Sequence, residues 1–324
     1  MIDTLRFSPT EEDLAGQRYL YPHYFQIQCR INFLVDRYLS LEKLHDRLQD
    51  LPIQFENPQP RPWKPINWQG IDCHQIIGID PDVFLSVIVG AMDTEAPIRG
   101  YTQTSRQYLE KLYPQLACFV GGTVAEDGSI LEPGLWEKEE RQHTPALLKI
   151  YSQLTGKKIA PTLSTVRGYQ HSDAPYKDLY RHGLHRVATE YSATCLYLWL
   201  MAHTSGPLQE VLEELALDEI NHMTKFWGFG VWAFPDSSFT QIGCTLIQTM
   251  KLNSMPNKTH SSLIYTLHRM MRVLNWKSWS LTNKATFIFT FTHAMHKLWS
   301  WSNTLTPEYL QELFGVLPLR SGKG

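Results

Sequence analysis

A repeated pattern of Glu and His residues is the feature of this sequence that predicts chemistry. In each copy, a single Glu within an apolar stretch is followed further along the chain by a Glu-x-x-His motif. The two copies are Glu95 with Glu140 and His143, and Glu190 with Glu219 and His222. Residues three positions apart lie on the same face of a helix, so each motif can direct two side chains at one point. This ligand set is typical of a dimetal centre inside a four-helix bundle.

The types of these side chains indicate which metals they would bind. Carboxylates combined with two imidazoles suit iron or manganese better than soft metals. We therefore expect two iron ions about 3.5–4 Å apart, with manganese as the alternative in one or both positions. A purely structural polar core is the less favoured interpretation, because four carboxylates buried without a cation would be very costly.

A third Glu-x-x-His motif, Glu42 to His45, has the same spacing but a different setting. Lys43, Asp46 and Arg47 surround it, and no single Glu in an apolar stretch accompanies it. The sequence therefore predicts a solvated helix face there, not a metal site.

Three further residues lie close to the motifs along the chain. Trp136 is one turn before Glu140, which places it beside the site, although a Trp at helical spacing is more often a core residue. His182 and His185 precede Glu190 by one to two turns. Because the ligand set is already complete, we expect these two histidines to make hydrogen bonds at the surface or between helices.

The hydrophobic periodicity predicts an all-α protein. Helices are expected at 24–38, 40–48, from 81 through Glu95 towards 104, and at 105–116, 135–154, 177–203, 208–233, 239–250, 259–274, 282–299 and 307–314. The segment 57–65 contains four prolines and cannot be helical, and 121–134 is expected to be a loop. The predicted architecture is a four-helix bundle at 81–235, preceded by N-terminal helices and a Pro-rich cap at 1–80 and followed by packing helices at 236–324, all in one domain.

Composition narrows the class of protein. The chain is 43% hydrophobic and 19% charged, as in ordinary globular proteins. No apolar run approaches the ~20 residues of a membrane span, and the N-terminus does not resemble a secretory signal. The five cysteines are scattered and never form C-x-x-C, which favours reduced thiols in a cytoplasmic protein. Neither membrane insertion nor a nucleic-acid partner is expected.

Charge is unevenly distributed although the net charge is only −2. Residues 223–324 carry ten Lys or Arg against three Asp or Glu. This asymmetry predicts either a docking surface for an acidic partner or packing of the basic third against the acidic remainder. The candidate docking residues are Lys251, Lys258, Arg269, Arg272 and Lys277.

Several motifs together resemble the soluble acyl-acyl carrier protein desaturases, which are ferritin-like di-iron carboxylate proteins. The similarity spans residues 60–260 and is carried by 89–95 (VGAMDTE), 136–143 (WEKEERQH), Thr189-Glu190 and 218–222 (DEINH). Trp63-Lys64-Pro65 and Ser254-Met255-Pro256 also look like motifs of that family.

The resemblance implies roles for individual residues. Glu95 and Glu190 would be terminal iron ligands, Glu140 and Glu219 bridging ligands, and His143 and His222 the nitrogen ligands. Asp218 would hydrogen-bond a ligand imidazole, a common device for fixing ring orientation. Trp63 and Asp218 together would form the route by which electrons reach the irons.

The resemblance also implies an activity and partners. The protein would use oxygen to introduce a cis double bond into an acyl chain on acyl carrier protein, with electrons from a ferredoxin-like donor, and it would form a homodimer. The alternatives are a related di-iron hydroxylase or N-oxygenase acting on a carrier-bound or small-molecule substrate, and a ferritin-like protein that handles iron or oxygen.

Two departures from the family affect the oxygen and substrate side of the site. The family commonly has Thr three residues after the third-helix Glu, whereas this chain has Ala193, followed by Thr194. Pro145, two residues after His143, is expected to kink or bulge its helix.

Overall fold

The computed structural model describes residues 24–162, 169, 171–237, 271 and 274–315. The helices in these ranges are α1 (Tyr24–Tyr38), α2 (Leu41–Gln49), α3 (Leu51–Glu56), α4 (Pro81–Glu95), α5 (Ile98–Leu109), α6 (Pro114–Gly121), α7 (Leu135–Glu140), α8 (His143–Thr155), α9 (Pro175–Ala202), α10 (Gly206–Ala233), α11 (Leu281–Ser302) and α12 (Pro307–Phe314). The expectation of a mainly helical protein is confirmed. The helices expected at 239–250 and 259–274 fall almost wholly outside the described residues.

The segment 121–134 was predicted to be a loop, but it contains a small antiparallel hairpin. Strands β1 (Thr123–Val124) and β2 (Ile130–Glu132) pair there. Gly128 adopts a φ of 82° at the turn between them. An Asp-Gly pair favours such a turn because Gly accepts a positive φ without steric strain. The β-branched residues on either side then favour short strands.

Helix α4 ends at Glu95. The prediction that this helix continues towards residue 104 was therefore wrong. The side chain of Asp80 caps its start by accepting hydrogen bonds from the N–H groups of Asp82 and Val83. Pro97 ends the helix because it has no N–H to donate to the carbonyl of Asp93 and its ring would clash with that carbonyl. Glu95 is consequently the last residue of α4, just before the chain turns into α5.

The helix expected at 135–154 is interrupted between Glu140 and His143. Helix α7 ends at Glu140, α8 begins at His143, and Arg141 and Gln142 form a turn between them. Pro145 lies four residues after Arg141, so the helical hydrogen bond to the Arg141 carbonyl cannot form. The predicted distortion is therefore confirmed, and it lies inside the first Glu-x-x-His motif.

Helices α9 and α10 pack against each other and are joined by a turn of three residues. Nδ1 of His203 in this turn donates to the Ile77 carbonyl at 2.9 Å, and the Ile77 N–H donates back to the His203 carbonyl at 2.8 Å. The Ser205 N–H donates to the Gln75 carbonyl at 3.0 Å. These bonds fasten the α9–α10 turn to the segment that leads into α4.

Four helical segments surround the interior in which the site lies, with the interrupted pair α7 and α8 counted as one. Helix α4 packs on α8, α10 contacts both α7 and α8, and α9 packs on α10. Helices α1 and α11 pack on the outer side of α9. None of the helices in the described ranges is both long enough and apolar enough to cross a bilayer.

Candidate metal centre

The six predicted ligands meet in the interior as two overlapping groups. Glu95, Glu140, His143 and Glu219 form one group, and Glu140, Glu190, Glu219 and His222 form the other. Within each group the potential ligand atoms lie within 4.8 Å of one another, so each group is able to hold a metal ion. Glu140 and Glu219 belong to both groups and therefore stand between the two sets of terminal side chains.

Four of the atoms that face one another in these groups have no hydrogen-bond partners. Nδ1 of His143 lies 3.3 Å from a carboxylate oxygen of Glu140 and 3.3 Å from one of Glu219. Nδ1 of His222 lies 3.1 Å from Glu140 and 3.4 Å from Glu190. Both Nδ1 atoms, Oε2 of Glu190 and Oε1 of Glu219 are buried without a hydrogen bond. Buried polar atoms are normally paired, so convergent unpaired atoms fit a site for cations.

The outer nitrogens of the two histidines are held by the carboxylates that directly precede the opposite motif. Nε2 of His143 lies 3.3 Å from Oδ2 of Asp218, and Nε2 of His222 lies 2.8 Å from Oε2 of Glu139. A carboxylate only accepts hydrogen bonds, so Nε2 carries the proton in each ring and Nδ1 is left as the metal-facing atom.

Glu139 was not identified as a site residue from the sequence, although a signal was present. It directly precedes Glu140, just as Asp218 directly precedes Glu219. Asn221 also donates to Glu139, at 3.2 Å.

The Pro-rich segment 57–65 lies over these two outer carboxylates. Nε1 of Trp63 donates to Asp218 at 2.8 Å, and Nη2 of Arg61 donates to the same side chain at 2.7 Å. The backbone N–H of Arg61 donates to Glu139 at 2.8 Å. The Arg61 guanidinium also forms an ion pair with buried Glu214. Arg61 was not singled out in the sequence, yet it connects both outer carboxylates.

Trp136 contacts the centre through a ligand. Its Nε1 donates to Oε1 of Glu140 at 2.9 Å, and its side chain is fully buried. The Trp that was expected beside the site thus makes a direct polar contact with a shared carboxylate.

Two hydroxyl groups on α9 follow Glu190 along one face of the helix. Thr194 is four residues and Tyr197 seven residues after Glu190, and both hydroxyls are buried without a hydrogen-bond partner. The Tyr197 ring packs edge-on against His143, with centroids 6.4 Å apart. Tyr197 was missed in the sequence, although its position on the same helical stripe as Glu190 was a usable signal.

Burial and mutual repulsion perturb the acids of the centre. Burial and the neighbouring carboxylates Glu140 and Glu219 raise the pKa of Glu95 well above its usual value. Burial and Glu140 raise the pKa of Glu219 to about 8. Burial would also raise the pKa of Glu140, but the nearby His143 and His222 lower it. Without cations the carboxylates cannot all ionise together at neutral pH, so the protein interior favours either protonation or metal binding.

The third Glu-x-x-His motif lies apart from this centre. Glu42 is exposed, and His45 stacks on Tyr309 with ring centroids 4.6 Å apart. Neither residue belongs to the groups that are able to hold a metal among the described residues.

His182 differs from its expected role in hydrogen bonding. It is buried, and neither of its ring nitrogens has a hydrogen-bond partner. Its neighbours are aromatic rings, including Tyr169 with a centroid distance of 4.8 Å. Nδ1 of His185 lies 2.8 Å from the guanidinium of Arg186, its neighbour on the same helix, so this contact does not join two helices.

The described part of the basic third makes ion pairs with acids near the N-terminus. Nζ of Lys225, which is buried, lies 2.7 Å from Asp50, and Nζ of Lys297 lies 2.6 Å from Asp36. These two contacts favour the interpretation that the basic third packs on the acidic remainder. Lys277 is exposed, whereas the candidate docking residues Lys251, Lys258, Arg269 and Arg272 lie outside the described residues.

No protein-family model, curated protein or solved structure matches the chain. The side chains of the centre, and the residue pattern that predicted them, are therefore the basis for assigning a function.

Proposed function

We propose that the protein is an oxygen-dependent dimetal oxidoreductase with two iron ions as its natural cofactor. The observation that supports this proposal best is the pair of overlapping groups that share Glu140 and Glu219, in which the Nδ1 atoms of both histidines and one oxygen each of Glu190 and Glu219 are buried without a hydrogen bond. Carboxylates and imidazoles in this ratio suit iron, with manganese as the alternative. The four helical segments around the centre support a ferritin-like bundle as the fold.

The metal pair, when bound, would supply the reductive activation of oxygen that oxidises an unactivated bond of the substrate. The chain holds both imidazoles by their outer nitrogens, through Asp218 and Glu139. Trp136 holds Glu140, and the surrounding buried side chains exclude water from the centre. This arrangement fixes the ligands before the substrate binds.

The contacts of Trp63 support the proposed route for electrons. Trp63 is partly buried at the surface, bonds to Asp218, and stacks obliquely near His143 with centroids 6.4 Å apart. Trp63, Asp218 and His143 thus form a continuous chain from the surface to the centre. A ferredoxin-like protein is the proposed donor, and replacing Trp63 with Phe should slow reduction by such a donor without changing the metal content.

Two substrate classes fit the proposed chemistry. The resemblance supports an acyl chain on acyl carrier protein, which would be converted to a cis alkene. The second candidate is hydroxylation or N-oxygenation of a small molecule. It is favoured by one specific observation, a buried arginine beside the centre (Arg186), which an apolar acyl chain would not need.

Metal analysis and product mass together test the proposal. The protein would be loaded anaerobically with ferrous iron, freed of excess metal, and supplied with reductant, oxygen and candidate substrates. We expect two irons per chain and oxygen consumption that depends on them. Loss of two hydrogen atoms from the substrate identifies desaturation, and gain of one oxygen atom identifies oxygenation. Iron oxidation and storage without any organic product would support the ferritin-like alternative instead.

A further inference from the structure

A buried arginine lies directly behind one of the residues that holds the centre. Arg186 is on α9, one turn before Glu190, and is only 5% exposed. Its guanidinium lies over the ring of Trp136 at 5.1 Å from the centroid, and Trp136 in turn donates to Glu140. A positive charge is therefore separated from the centre by a single indole.

Arg186 has no carboxylate partner among the residues that the structure describes. Its Nη2 donates to the hydroxyl of Tyr169 at 2.9 Å and lies 2.8 Å from Nδ1 of His185, while its Nε has no hydrogen-bond partner. The carboxylate of Asp178 is already bonded to Ser172 and Arg181.

A buried charge is strongly disfavoured unless it is paired. The indole face offsets only part of that cost.

A second unsatisfied polar side chain lies one turn away on the same helix. His182 is 2% exposed, and neither ring nitrogen has a partner. Burial and the positive charges of Arg186 and His185 lower its pKa well below the usual value, so the ring is neutral and offers one donor and one acceptor. The rings of Tyr108 and Tyr169 lie against it, with centroids 5.5 and 4.8 Å away.

We propose that Arg186 and His182 form a subsite for the carboxylate of a small organic acid, and that this acid is the substrate of the dimetal centre. The carboxylate would accept from Nε of Arg186 and from the N–H of His182, which are the unused donors. A rise of about 1.5 Å per residue puts Arg186 about 6 Å along the helix axis from Glu190. The acid must therefore have a short carbon skeleton, and the aromatic side chains favour a planar one.

The substrate assignment rests on the proposed oxidoreductase function, whereas the carboxylate subsite does not. A carrier-bound acyl chain has no free carboxylate to neutralise Arg186. The subsite consequently favours oxidation of a free small acid over oxidation of a carrier-bound acyl group.

Calorimetric titration of the full-length, manganese-loaded protein tests the subsite. The probes are benzoate and hexanoate, each compared with its neutral amide, benzamide or hexanamide, and with inorganic phosphate. We expect at least one acid to bind about 10- to 100-fold more tightly than its amide, as charge-assisted hydrogen bonds predict. Equal binding of acids and amides, or no binding of any probe, would mean that only water occupies the subsite. Phosphate binding as tight as the best acid would overturn the assignment to carboxylates.

Variants on one helix identify the residue responsible. Arg186→Met removes the charge but keeps the aliphatic stem over Trp136, Arg186→Lys keeps the charge, and Arg181→Met removes a neighbouring charge from the same helix. We expect the preference for acid over amide to disappear in Arg186→Met, to survive in part in Arg186→Lys, and to be unchanged in Arg181→Met. A preserved preference in Arg186→Met would overturn the proposal. If Arg186→Met fails to fold, the preference for acid over amide in the wild type and in Arg186→Lys still tests the proposal.

Metal content and acid binding separate the two proposals. A protein that binds acids through Arg186 but holds no metal would contradict the proposed function and leave the subsite intact. A protein with two metals that ignores the acids would contradict only the subsite.

Discussion

Nε2 of His222 lies 2.8 Å from the carboxylate of Glu139, the residue directly before the other Glu-x-x-His motif. His143 makes the matching contact with Asp218, at 3.3 Å. Each motif therefore supplies two metal ligands, and the acid directly before it orients the ligand imidazole of the other motif. The two halves of the centre cannot be positioned independently.

Replacing an outer carboxylate by its amide should weaken metal binding. Glu139→Gln and Asp218→Asn remove the charge that orients His222 and His143, and such partners typically change metal affinity by about 10- to 100-fold. Competition with a chelator measures that affinity. Glu126→Gln, in the exposed hairpin turn, is the matched control and should behave as wild type. Unchanged affinity in both site variants would show that the outer contacts do not position the ligands.

Shared and terminal carboxylates should differ in how many metals they retain. Glu140→Ala and Glu219→Ala remove a ligand from both groups, so we expect almost no bound metal. Glu95→Ala and Glu190→Ala remove a ligand from one group only, so we expect close to one metal per chain. Elemental analysis of the purified variants gives these ratios. Equal losses in all four variants would argue against Glu140 and Glu219 as the shared pair.

Replacing Glu42 and His45 together with Ala should leave the iron content unchanged. Glu42 is exposed and His45 stacks on Tyr309, so neither faces the centre. Iron is measured against wild type and against the Glu140→Ala variant. A substantial loss of iron in the double variant would show that the third motif does bind metal.

Removing Arg61 should destabilise the protein far more than removing Lys64. Arg61→Leu leaves the buried carboxylates of Asp218 and Glu214 without their cation, and breaking buried pairs typically costs about 3 kcal/mol or more. Lys64 is exposed, and its Nζ lies 3.5 Å from Glu213. The free energy of unfolding of Lys64→Leu should therefore differ from that of the wild type by no more than about 0.5 kcal/mol. Urea unfolding of both variants measures the free energies. Similar small losses would mean that Arg61 is dispensable to the fold.

The stability of the protein should fall with acid partly through His203. Burial lowers the pKa of His203 to about 4, whereas the unfolded chain takes up the proton near 6.5. Between these values the unfolded state binds more protons, so stability decreases as the pH falls from 6.5 towards 4. His203→Gln should reduce the slope of the unfolding free energy against pH by the equivalent of up to one bound proton. The exposed His74→Gln serves as the control and should leave this slope unchanged. The unfolding free energy is measured at several pH values, and identical slopes for all three proteins would contradict the assignment.

Local patterns predicted the helices and the ligand order, but not the contacts that join distant segments. The bounds of α1 and α12 agree with the prediction because periodicity, caps and prolines are local signals. Arg61 was missed because its partners Glu139 and Asp218 lie 78 and 157 positions away. Arg186 was missed for a related reason, since burial without an acidic partner is visible only once the helices are packed.

The same contact between Arg61 and Asp218 has a consequence for the order of folding. The two residues are 157 positions apart. The entropic cost of closing a loop grows with this separation, and contacts between distant residues form slowly. We therefore expect the helices that carry the ligands to pack first and the Pro-rich segment to close over them afterwards. A chain shortened to begin at residue 81 would retain every ligand but lose α1–α3 and this closing segment. We expect it to leave the centre open to solvent and prone to release its metals.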